Sequence, residues 1–515
     1  MLRTNHLFLI PFLIFLLTSC QKDVEPSAGN GILQITAIEL AGSTNGISAR
    51  TTVKNEWHHS YQNPLLIILK SDQTGKSYSL ELNPNDLSKN NSLELPIGLY
   101  TVNSTINNQT YALELPLDIN QKLSVSTSKQ DLTLKATSHY GLFTITDRNL
   151  SSSPRIVAPF SYILTKKNDF YFGYFDQKQK LTIEIPTQVN QSFRQAWNSE
   201  SFIHRHFSLD NLEIEGDIET FSKTDFSIAE TIIPLNKDGI PTALMPSEVA
   251  ELPSSIAETS GLAVVRGRLF THNDGGNTNE IFELNPNSGE VIRSIKVSNA
   301  SNVDWEDLTV SSNEMFIGDF GNNSGNRKNL AVYKVKLDEL LNNDQVTAEK
   351  ISFSLSDQVD FQSLPNATNY DCEAFIYWES KLYLFTKNWK DAQTNVYSLS
   401  PETGNQIAES TGSFNTKGLV TGATINEKGD LVLLGYENKG LSSRSFVCLY
   451  NNFGGDNFFS GKSHQIYLGS PAIISQTEGV DFFKDSSIVI SGEAIVSGGI
   501  SIPARLSELD LTGFF

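Results

Sequence analysis

Residues 304–309 read Asp304-Trp305-Glu306-Asp307-Leu308-Thr309, in which acidic and aromatic residues lead directly into an apolar, strand-like continuation. Four other stretches in the second half of the chain share this pattern of a polar or acidic start, small residues and an apolar continuation. They are residues 258–263 (ETSGLA), 371–375 (DCEAF), 420–424 (VTGAT) and 477–481 (TEGVD). Because repeats of about 50 residues are typical of propellers and solenoids, we interpret this half as a repeat architecture.

Further strand-like segments follow these starts, and together they predict sheets of four antiparallel strands, the blades of a β-propeller. Second strands are predicted at Arg268–Thr271, Met315–Gly318, Lys381–Thr386, Leu431–Gly435 and Ile488–Ser491. Third strands are predicted at Glu280–Leu284, Leu330–Val335, Asn395–Leu399, Phe446–Tyr450 and Arg505–Leu509. Fourth strands are visible in the first four repeats, as at Val291–Val297 and His464–Leu468.

The fifth repeat lacks a fourth strand before the chain stops at Phe515. Ser247–Leu252, just ahead of the first repeat, can supply that strand, and pairing the two ends would remove exposed sheet edges. The sequence therefore predicts a β-propeller over residues 245–515 with five blades, and a sixth blade near residues 225–250 stays open.

The first half of the chain also has the pattern of β-structure. Segments such as Ile32–Leu40 and Leu181–Ile185 mix alternating and β-branched residues and are bounded by turn residues. Residues 95–102 (LPIGLYTV) resemble a strand of extracellular immunoglobulin-like or transthyretin-like modules. We expect one or two β-sandwich units over residues 31–230, a boundary near residues 234–246, and an all-β fold class throughout.

Residues 1–19 have the layout of a secretory signal peptide. Arg3 precedes the apolar run Leu7–Leu17, which is shorter than the about 20 residues that a spanning helix needs. The run ends in residues 17–20 (LTSC), which resemble the lipobox of bacterial lipoproteins. The resemblance implies that Cys20 carries lipid such as palmitate, and that residues 20–30 tether the protein to a membrane. An ordinary signal with a chance cysteine is the alternative.

Acidic residues soon after Cys20 resemble the export tag of surface-displayed lipoproteins in some Gram-negative bacteria, although a solvated tether explains them equally well. The expected location is the outer membrane, facing either the periplasm or the cell surface. The formal net charge of -19 would repel phosphate backbones, which argues against nucleic-acid binding. Cys372 and Cys448 lie in different repeats and are predicted to be buried thiols. His204 and His206 could share a metal ion, but a surface role is favoured.

Five short motifs of the second half resemble, as a set, β-propellers of the phytase-like esterase and gluconolactonase kind, and uncharacterised propeller lipoproteins of Gram-negative bacteria. These motifs are SGL (260–262), HND (272–274), DWED (304–307), GDFGNN (318–323) and DCEA (371–374). The resemblance implies calcium bound by acidic residues of one face, with Lys and Arg side chains holding phosphate. Lys387 and Arg327 are the basic candidates, and this small number makes phosphate substrates the weakest fit.

The first two strands of a blade are antiparallel, so the start of the first lies beside the end of the second. Acidic side chains at these positions are therefore expected to meet at one mouth of the central channel, where hard oxygen ligands suit Ca²⁺. The expected metal ligands are Glu258, Glu306, Asp307, Glu373 and Glu478. The alternative is structural, because such carboxylates can accept hydrogen bonds from neighbouring backbone and lock blades together.

The residues expected to contact a ligand are Asp274, Asn322, Asn323, Arg327 and Lys387. Gly-x-Ser-x-Gly, P-loop and dinucleotide motifs do not occur in the sequence. A hydrolase would therefore use metal-activated water, with His272, Glu306 or Glu373 as catalytic candidates.

Two functions follow from these expectations. The first is a membrane-anchored head that binds a protein, glycan or small molecule, with structural calcium. The alternative is a metal-dependent hydrolase of a lactone, ester or phosphoester.

Overall fold

The computed structural model describes residues 29–40, 55–104, 109–126, 128–188, 191–211, 221–223 and 225–515. The signal peptide, Cys20 and nearly all of the tether lie outside these residues, so the lipobox stays a prediction. No helix in the described ranges is long and apolar enough to cross a membrane. The chain divides into two compact units, one within residues 1–41, 61–107 and 117–137, and one within residues 42–60, 108–116 and 138–515.

The described residues up to 235 are almost entirely β-structure. In chain order the strands are β1 (Asn30–Leu40), β2 (Asn55–Glu56), β3 (Leu65–Ser71), β4 (Ser77–Leu82), β5 (Ser92–Pro96), β6 (Gly98–Ser104), β7 (Tyr111–Ala112), β8 (Asp118–Val125), β9 (Gln130–Thr137), β10 (Tyr140–Thr146), β11 (Arg155–Ala158), β12 (Tyr162–Ile163), β13 (Thr165–Lys167), β14 (Phe170–Asp176), β15 (Lys180–Pro186), β16 (Ser192–Asn198), β17 (Ile203–Asn211), β18 (Phe221–Lys223) and β19 (Ser227–Leu235).

The remaining strands and the two short helices follow the same pattern of brief elements joined by turns. They are β20 (Ser247–Glu251), β21 (Thr259–Val265), β22 (Arg268–Asn273), β23 (Glu280–Leu284), β24 (Val291–Val297), β25 (Trp305–Val310), β26 (Glu314–Asp319), β27 (Ala331–Lys336), α1 (Leu337–Asn342), β28 (Gln345–Val346), β29 (Glu349–Leu355), β30 (Cys372–Trp378), β31 (Lys381–Thr386), β32 (Thr394–Leu399), β33 (Gly404–Phe414), β34 (Leu419–Ile425), β35 (Leu431–Tyr436), β36 (Ser445–Asn451), β37 (Lys462–Gly469), α2 (Pro471–Ile474), β38 (Gln476–Lys484), β39 (Ser487–Glu493), β40 (Ile495–Ser497), β41 (Ile500–Ile502) and β42 (Arg505–Asp510). Single 3₁₀ turns lie at Ser254–Ile256, Gly440–Ser442 and Phe458–Ser460.

The first unit is built on one seven-stranded sheet with the order β4-β3-β6-β8-β9-β1-β5. Its strands bury alternate residues, as in β3, where Leu65, Ile67 and Leu69 are buried. Successive side chains of a strand point to opposite faces, so this alternation places one face on a core. The strand β1 pairs antiparallel with β5 and parallel with β9.

In the second unit, residues 138–235 contribute a sheet with the path β13-β14-β10-β17-β19, to which β7 pairs through β14, and a sheet with the order β12-β11-β15-β16. Phe143 stacks on Trp197 with ring centroids 4.4 Å apart. Their apolar cluster continues into the C-terminal sheets through Val432 and Val447. This shared core places residues 138–235 and the C-terminal sheets in one compact unit, and the domain boundary suggested near residues 234–246 stays a prediction.

A surface role for His204 and His206 is wrong, because both side chains are almost completely buried. They lie at alternate positions of β17 and therefore share one face of the sheet. His204 Nε2 and His206 Nδ1 each lie 2.8 Å from the Thr144 hydroxyl on β10. Burial lowers the pKa of His206 to about 4, so the cluster is uncharged at neutral pH.

From residue 247 onward twenty of the strands form five groups of four, while β28 adds to the edge of the first group and β40 pairs with β41. The groups are β21–β24, β25–β27 with β29, β30–β33, β34–β37, and β38, β39, β42 and β20. Within each group consecutive strands pair antiparallel, and the parallel pair β29 and β33 joins the second group to the third. The strand β20 pairs with β42, so the start and the end of this region share one sheet.

The first strands of the five groups contact one another in cyclic order: β21 with β25, β25 with β30, β30 with β34, β34 with β38, and β38 with β21. This gives a propeller-like arrangement around a central axis. Glycines permit the close approach, since a Cβ at Gly422 would meet the Glu478 carbonyl and one at Gly479 the Ser260 carbonyl. Cys372 and Cys448 are free and buried, which confirms the prediction of two buried thiols.

Candidate functional site

Each of the five innermost strands carries a β-bulge near its start. In β25, β30 and β38 the extra residue between two paired neighbours is Glu306, Glu373 and Glu478, respectively. In β34 it is Thr421, and in β21 Ser260 and the glycine after it together face a single residue of β22. A bulge re-aims its side chain and is common beside active sites. Since the five strands form a ring, their bulges meet at one end of the axis, which we call the acidic mouth.

Three carboxylates of the first two sheets converge at the acidic mouth. One oxygen from each of Asp274, Asp304 and Glu306 lies within 4.8 Å of the other two. Asp274 follows β22, Asp304 precedes β25, and Glu306 is the bulge residue of β25. The loop after β22 and the start of β25 therefore supply all three carboxylates. We call these three groups the carboxylate trio.

Two glycines leave the room that the trio occupies. A Cβ at Gly275 would collide with Oδ1 of Asp304, and one at Gly321 would collide with Oδ2 of Asp304 and Oε1 of Glu306. Because neither glycine has a side chain, the backbone at both positions can lie close to the Asp304 carboxylate. A larger residue at either position would displace that carboxylate.

Burial makes the negative charge of the trio unfavourable. Glu306 is only 5% exposed, and no described residue donates a hydrogen bond to its carboxylate. Loss of water, followed by repulsion from Glu373 and Asp274, holds the pKa of Glu306 well above its usual range. Burial and then Asp274 raise the pKa of Asp304 to about 7. Such groups need either protons or a cation between them, and three hard oxygen donors suit Ca²⁺ or Mg²⁺.

One guanidinium borders the trio. Arg327 Nη1 lies 3.8 Å from Asp304 Oδ2, while Nη2 donates to Asp319 Oδ1 at 2.9 Å. Arg327 Nη1 also donates to the carbonyl of Gly321 at 2.7 Å. The predicted ligand-binding Arg327 is thus engaged within the protein, where it offsets part of the carboxylate charge and fixes the loop after β26.

The third and fourth sheets hold a buried ammonium. Lys387 Nζ lies 3.2 Å from Oε2 of Glu373 and over the rings of Trp389 and Tyr436, 5.1 and 5.5 Å from their centroids. Burial opposes the charge, but Glu373 leads the groups that keep the pKa of Lys387 well above its ordinary value. Glu373 therefore has a cationic partner here, unlike Glu306.

The fifth sheet contributes two carboxyl groups joined by an amide. Gln476 Nε2 donates to Glu478 Oε1 at 2.8 Å and to Glu493 Oε1 at 2.5 Å. Burial raises the pKa of both glutamates, and repulsion from neighbouring carboxylates, including that of Asp274, raises it further. The pair can therefore retain a proton at neutral pH.

Asp307 has a different place from the metal role predicted for it. Its Oδ1 accepts from the backbone N–H of Leu308 at 2.8 Å, and its Oδ2 accepts from that of Phe375 at 3.0 Å. The carboxylate thus fastens the second sheet to the third, as the structural alternative described. Asp481 acts similarly by accepting from Val264 N–H at 2.6 Å.

The loop residues Asn322 and Asn323 also bond inward. Asn322 N–H donates to Asp371 Oδ1 at 2.5 Å, and Asn323, with its amide nitrogen turned toward Asp371, donates at 2.6 Å. Trp389 Nε1 donates to Asp371 Oδ2 at 2.8 Å. Asp371 is therefore a junction of three loops, and the two asparagines hold the loop rather than project from it.

The two other predicted residues differ in exposure. Glu258 is exposed, and Asn277 donates to its Oε2 at 2.6 Å. His272 is completely buried, edge-on to Trp305, and burial lowers its pKa to about 4. A neutral buried imidazole packed on an indole fits a structural role better than that of a general base.

Sequence reasoning missed Asp304 and Gln476 as site residues, whereas the position of Glu493 at the end of a second strand had predicted its place at the mouth. The available sequence signal for Asp304 was its position directly before Trp305, the aromatic start of β25. In the structure Gly275 and Gly321 lie on either side of its carboxylate. Register decides which acid enters the mouth, and a one-residue bulge cannot be read from a single sequence.

No known family profile and no curated protein matches the chain. Among solved structures, a gluconolactonase from Xanthomonas campestris is 11% identical, with a TM-score of 0.28, over 72% of this chain and 97% of that one. A GH43_1 enzyme from Xanthomonas citri is 12% identical, with a TM-score of 0.29, over 52% and 90%. A protein of unknown function from Bacteroides caccae is 10% identical, with a TM-score of 0.28, over 50% and 78%. At these scores the propeller-like fold rests on the strand pairings of this chain.

Proposed function

We propose that the chain is an exported lipoprotein, anchored through Cys20, whose five-bladed propeller is a cation-dependent ligand-binding head. A β-sandwich region ahead of the propeller would act as its stalk. The carboxylate trio carries the proposal, because Glu306 is buried among acids without a hydrogen-bond donor from any described residue. A divalent cation would supply the missing positive charge.

Asp274, Asp304 and Glu306 would hold the cation, and three protein ligands leave further coordination positions for water or a ligand. Lys387 offers a positive charge across the mouth, held between Glu373 and two aromatic rings. A small molecule rich in oxygen atoms would therefore find a cation on one side and an ammonium on the other. An extended nucleic acid would meet the overall charge of -19 instead.

Calcium titration of the mature protein, followed by calorimetry and by thermal unfolding, tests the cation. Calcium should raise the Tm of the wild-type protein, and Asp304→Asn and Glu306→Gln should abolish that rise. Glu258→Gln is the matched control, since Glu258 is exposed at the rim. A Tm unaffected by calcium, magnesium and chelator would contradict the proposal.

A second candidate is a metal-dependent hydrolase of a lactone or ester, and the Gln476-bridged glutamates favour it. Glu478 or Glu493 could deliver a stored proton to a leaving group, while a bound cation would polarise the substrate. Turnover of simple lactones and aryl esters, lost in Glu306→Gln and reduced in Glu493→Gln with the fold intact, would establish it. Absence of turnover with saturating calcium would leave the binding head.

Membrane attachment needs a separate test, because it does not depend on the mouth. Cys20→Ser should move the protein from the membrane fraction to the soluble fraction and abolish labelling by a palmitate analogue. Protease treatment of intact cells then distinguishes a surface-facing head from a periplasmic one. Unchanged fractionation of Cys20→Ser would refute the lipid anchor.

A further inference from the structure

A cavity separate from the carboxylate trio lies on the ring between the second and third sheets. It measures about 270 Å³, close to the lower end of the range of about 300–1,000 Å³ for small-molecule pockets. It is formed by the loops after β26, β29 and β31. Its lining includes Gly325, Asp360, Gln362, Leu364, Tyr370 and Lys390.

The main wall of this cavity is an unusually long connection. Sixteen residues, 356–371, separate β29 from β30 without regular secondary structure. Connections in compact domains are mostly about 4–6 residues, and structureless loops beyond about 12–15 residues are usually functional or disordered. Which of the two applies here depends on whether the loop is held in place.

Specific hydrogen bonds hold it. The backbone N–H groups of Leu364 and Asn366 donate to the carbonyls of Ser324 and Asn323, both at 2.9 Å. The buried Gln358 side chain donates to the Gly325 carbonyl at 2.8 Å. Tyr397 anchors the beginning of the loop by donating to Asp357 Oδ1 at 2.9 Å. A wall fixed in this way is preorganised, which lowers the entropy lost when a ligand binds.

The lining offers both donors and acceptors to a ligand. The side-chain amide of Gln362 and the side-chain ammonium of Lys390 make no hydrogen bond or ion pair with any described residue. Asp360 uses Oδ1 to accept from Gln362 N–H at 2.9 Å, which leaves its other oxygen available. Leu364 and Tyr370 add apolar surface.

The charge of the lining restricts the class of ligand. Asp357 and Asp360 outnumber the single ammonium of Lys390, which disfavours an anion. A hydroxyl group both donates and accepts, so it can pair with an amide, a carboxylate and an ammonium in turn. Neutral sugars combine several hydroxyls with apolar C–H faces that suit Tyr370 and Leu364.

We propose that this cavity, bounded by the 356–371 loop and Lys390, is a binding site for a neutral saccharide unit. The site is distinct from the carboxylate trio and needs no cation. The two sites share only the loops that meet at Asp371, which lies beyond Tyr370 in the chain.

Saturation-transfer NMR and calorimetry with the full mature protein test the site. The probes are cellobiose, maltose, lactose and N,N′-diacetylchitobiose, each measured separately. At least one should bind, and the double variant Gln362→Ala/Lys390→Ala should weaken it at least tenfold. Lys428→Ala is the matched control, because Lys428 is an exposed lysine on a turn outside the cavity lining, and it should leave binding unchanged.

Two further arms separate this proposal from the cation proposal. Binding that persists in Asp304→Asn and in excess chelator supports the cavity, whereas binding lost in either places the sugar at the acidic mouth and overturns the inference. Binding by none of the four probes, or equal binding by the double variant, also overturns it. So does binding of tetralysine in place of the sugars, which would assign the cavity to a basic peptide.

Discussion

The acidic mouth and the histidine pair on β17 both bury titratable groups in the second unit, but with opposite consequences. The histidines lose charge by releasing a proton and share the Thr144 hydroxyl. The trio is neutralised only by taking up protons or a cation, and Glu306 receives no hydrogen bond from any described residue. The paired histidines are therefore part of the fold, whereas the buried acids of the trio, crowded together around Glu306, favour a ligand that neutralises them.

The largest effect should come from an acid that lies outside both regions. Asp307→Ala removes the carboxylate that accepts from Leu308 and Phe375, and leaves both buried N–H groups without that partner. We expect a loss of about 3–4 kcal/mol in the free energy of unfolding, measured with denaturant. If the variant is as stable as wild type, Asp307 does not fasten the second sheet to the third, and the contrast between Asp307 and the acids of the mouth is lost.

Thr144→Val should come next, by breaking the histidine side of the comparison. The hydroxyl is replaced by a methyl group of similar size, so the contacts to His204 and His206 are lost without a change in packing. We expect about 2–3 kcal/mol of destabilisation, while Thr144→Ser retains most of the stability. Equal losses in the two variants would mean that packing, not hydrogen bonding, explains the site.

A pH titration of stability sharpens the contrast. His206 titrates near 6.5 in the unfolded chain and at about 4 in the folded one, so the unfolded chain binds more protons between these values. Stability is therefore present above pH 6.5 and is lost as the pH falls toward 4. His206 alone should contribute about 2 kcal/mol less stability at pH 5 than at pH 7.5, and the buried His272, whose pKa is also lowered to about 4, adds a loss in the same direction. The acids of the mouth oppose this trend, because their raised pKa values favour the folded state at low pH. Denaturant melts of Glu306→Gln reduce that opposing contribution. A free energy of unfolding that does not change with pH in this variant would contradict the assignment to the buried histidines.

Glu306→Gln should have a smaller effect on stability than these changes, and with the opposite sign. Without a cation it removes an unpaired buried acid, so we expect a gain of about 1 kcal/mol at pH 8. The exposed Glu258→Gln should change stability by less than about 0.5 kcal/mol. A clear loss in cation-free Glu306→Gln would show that the carboxylate stabilises the fold, and would weaken the case for a ligand.

The sequence predicted the β-class and the strands of the second half closely. The predicted strand Lys381–Thr386, for example, has the bounds of β31, and Ser247–Glu251 pairs with β42 at the place suggested for a fourth strand. Alternation and turn residues carry that information locally. The helix α1 and the short strand β28 were not expected, because six-residue and two-residue elements leave no periodic signal.

The sequence was less able to distinguish residues of the site from structural residues, as two adjacent acids show. Glu306 and Asp307 are both acidic and adjacent, yet a bulge turns the first to the mouth and the second to the backbone of the next sheet. Composition and spacing treat the two alike. Only register and burial, which depend on the whole ring, tell them apart.

The pairing of β20 with β42 joins residues about 260 positions apart in the chain. During synthesis β20 emerges long before β42, and the edge of β20 must stay unpaired until β42 has been made. Pairings of such long range form slowly, and an exposed edge invites wrong pairing with other chains. We expect a variant shortened before Arg505 to aggregate and to require chaperones, even though it keeps every residue of the carboxylate trio.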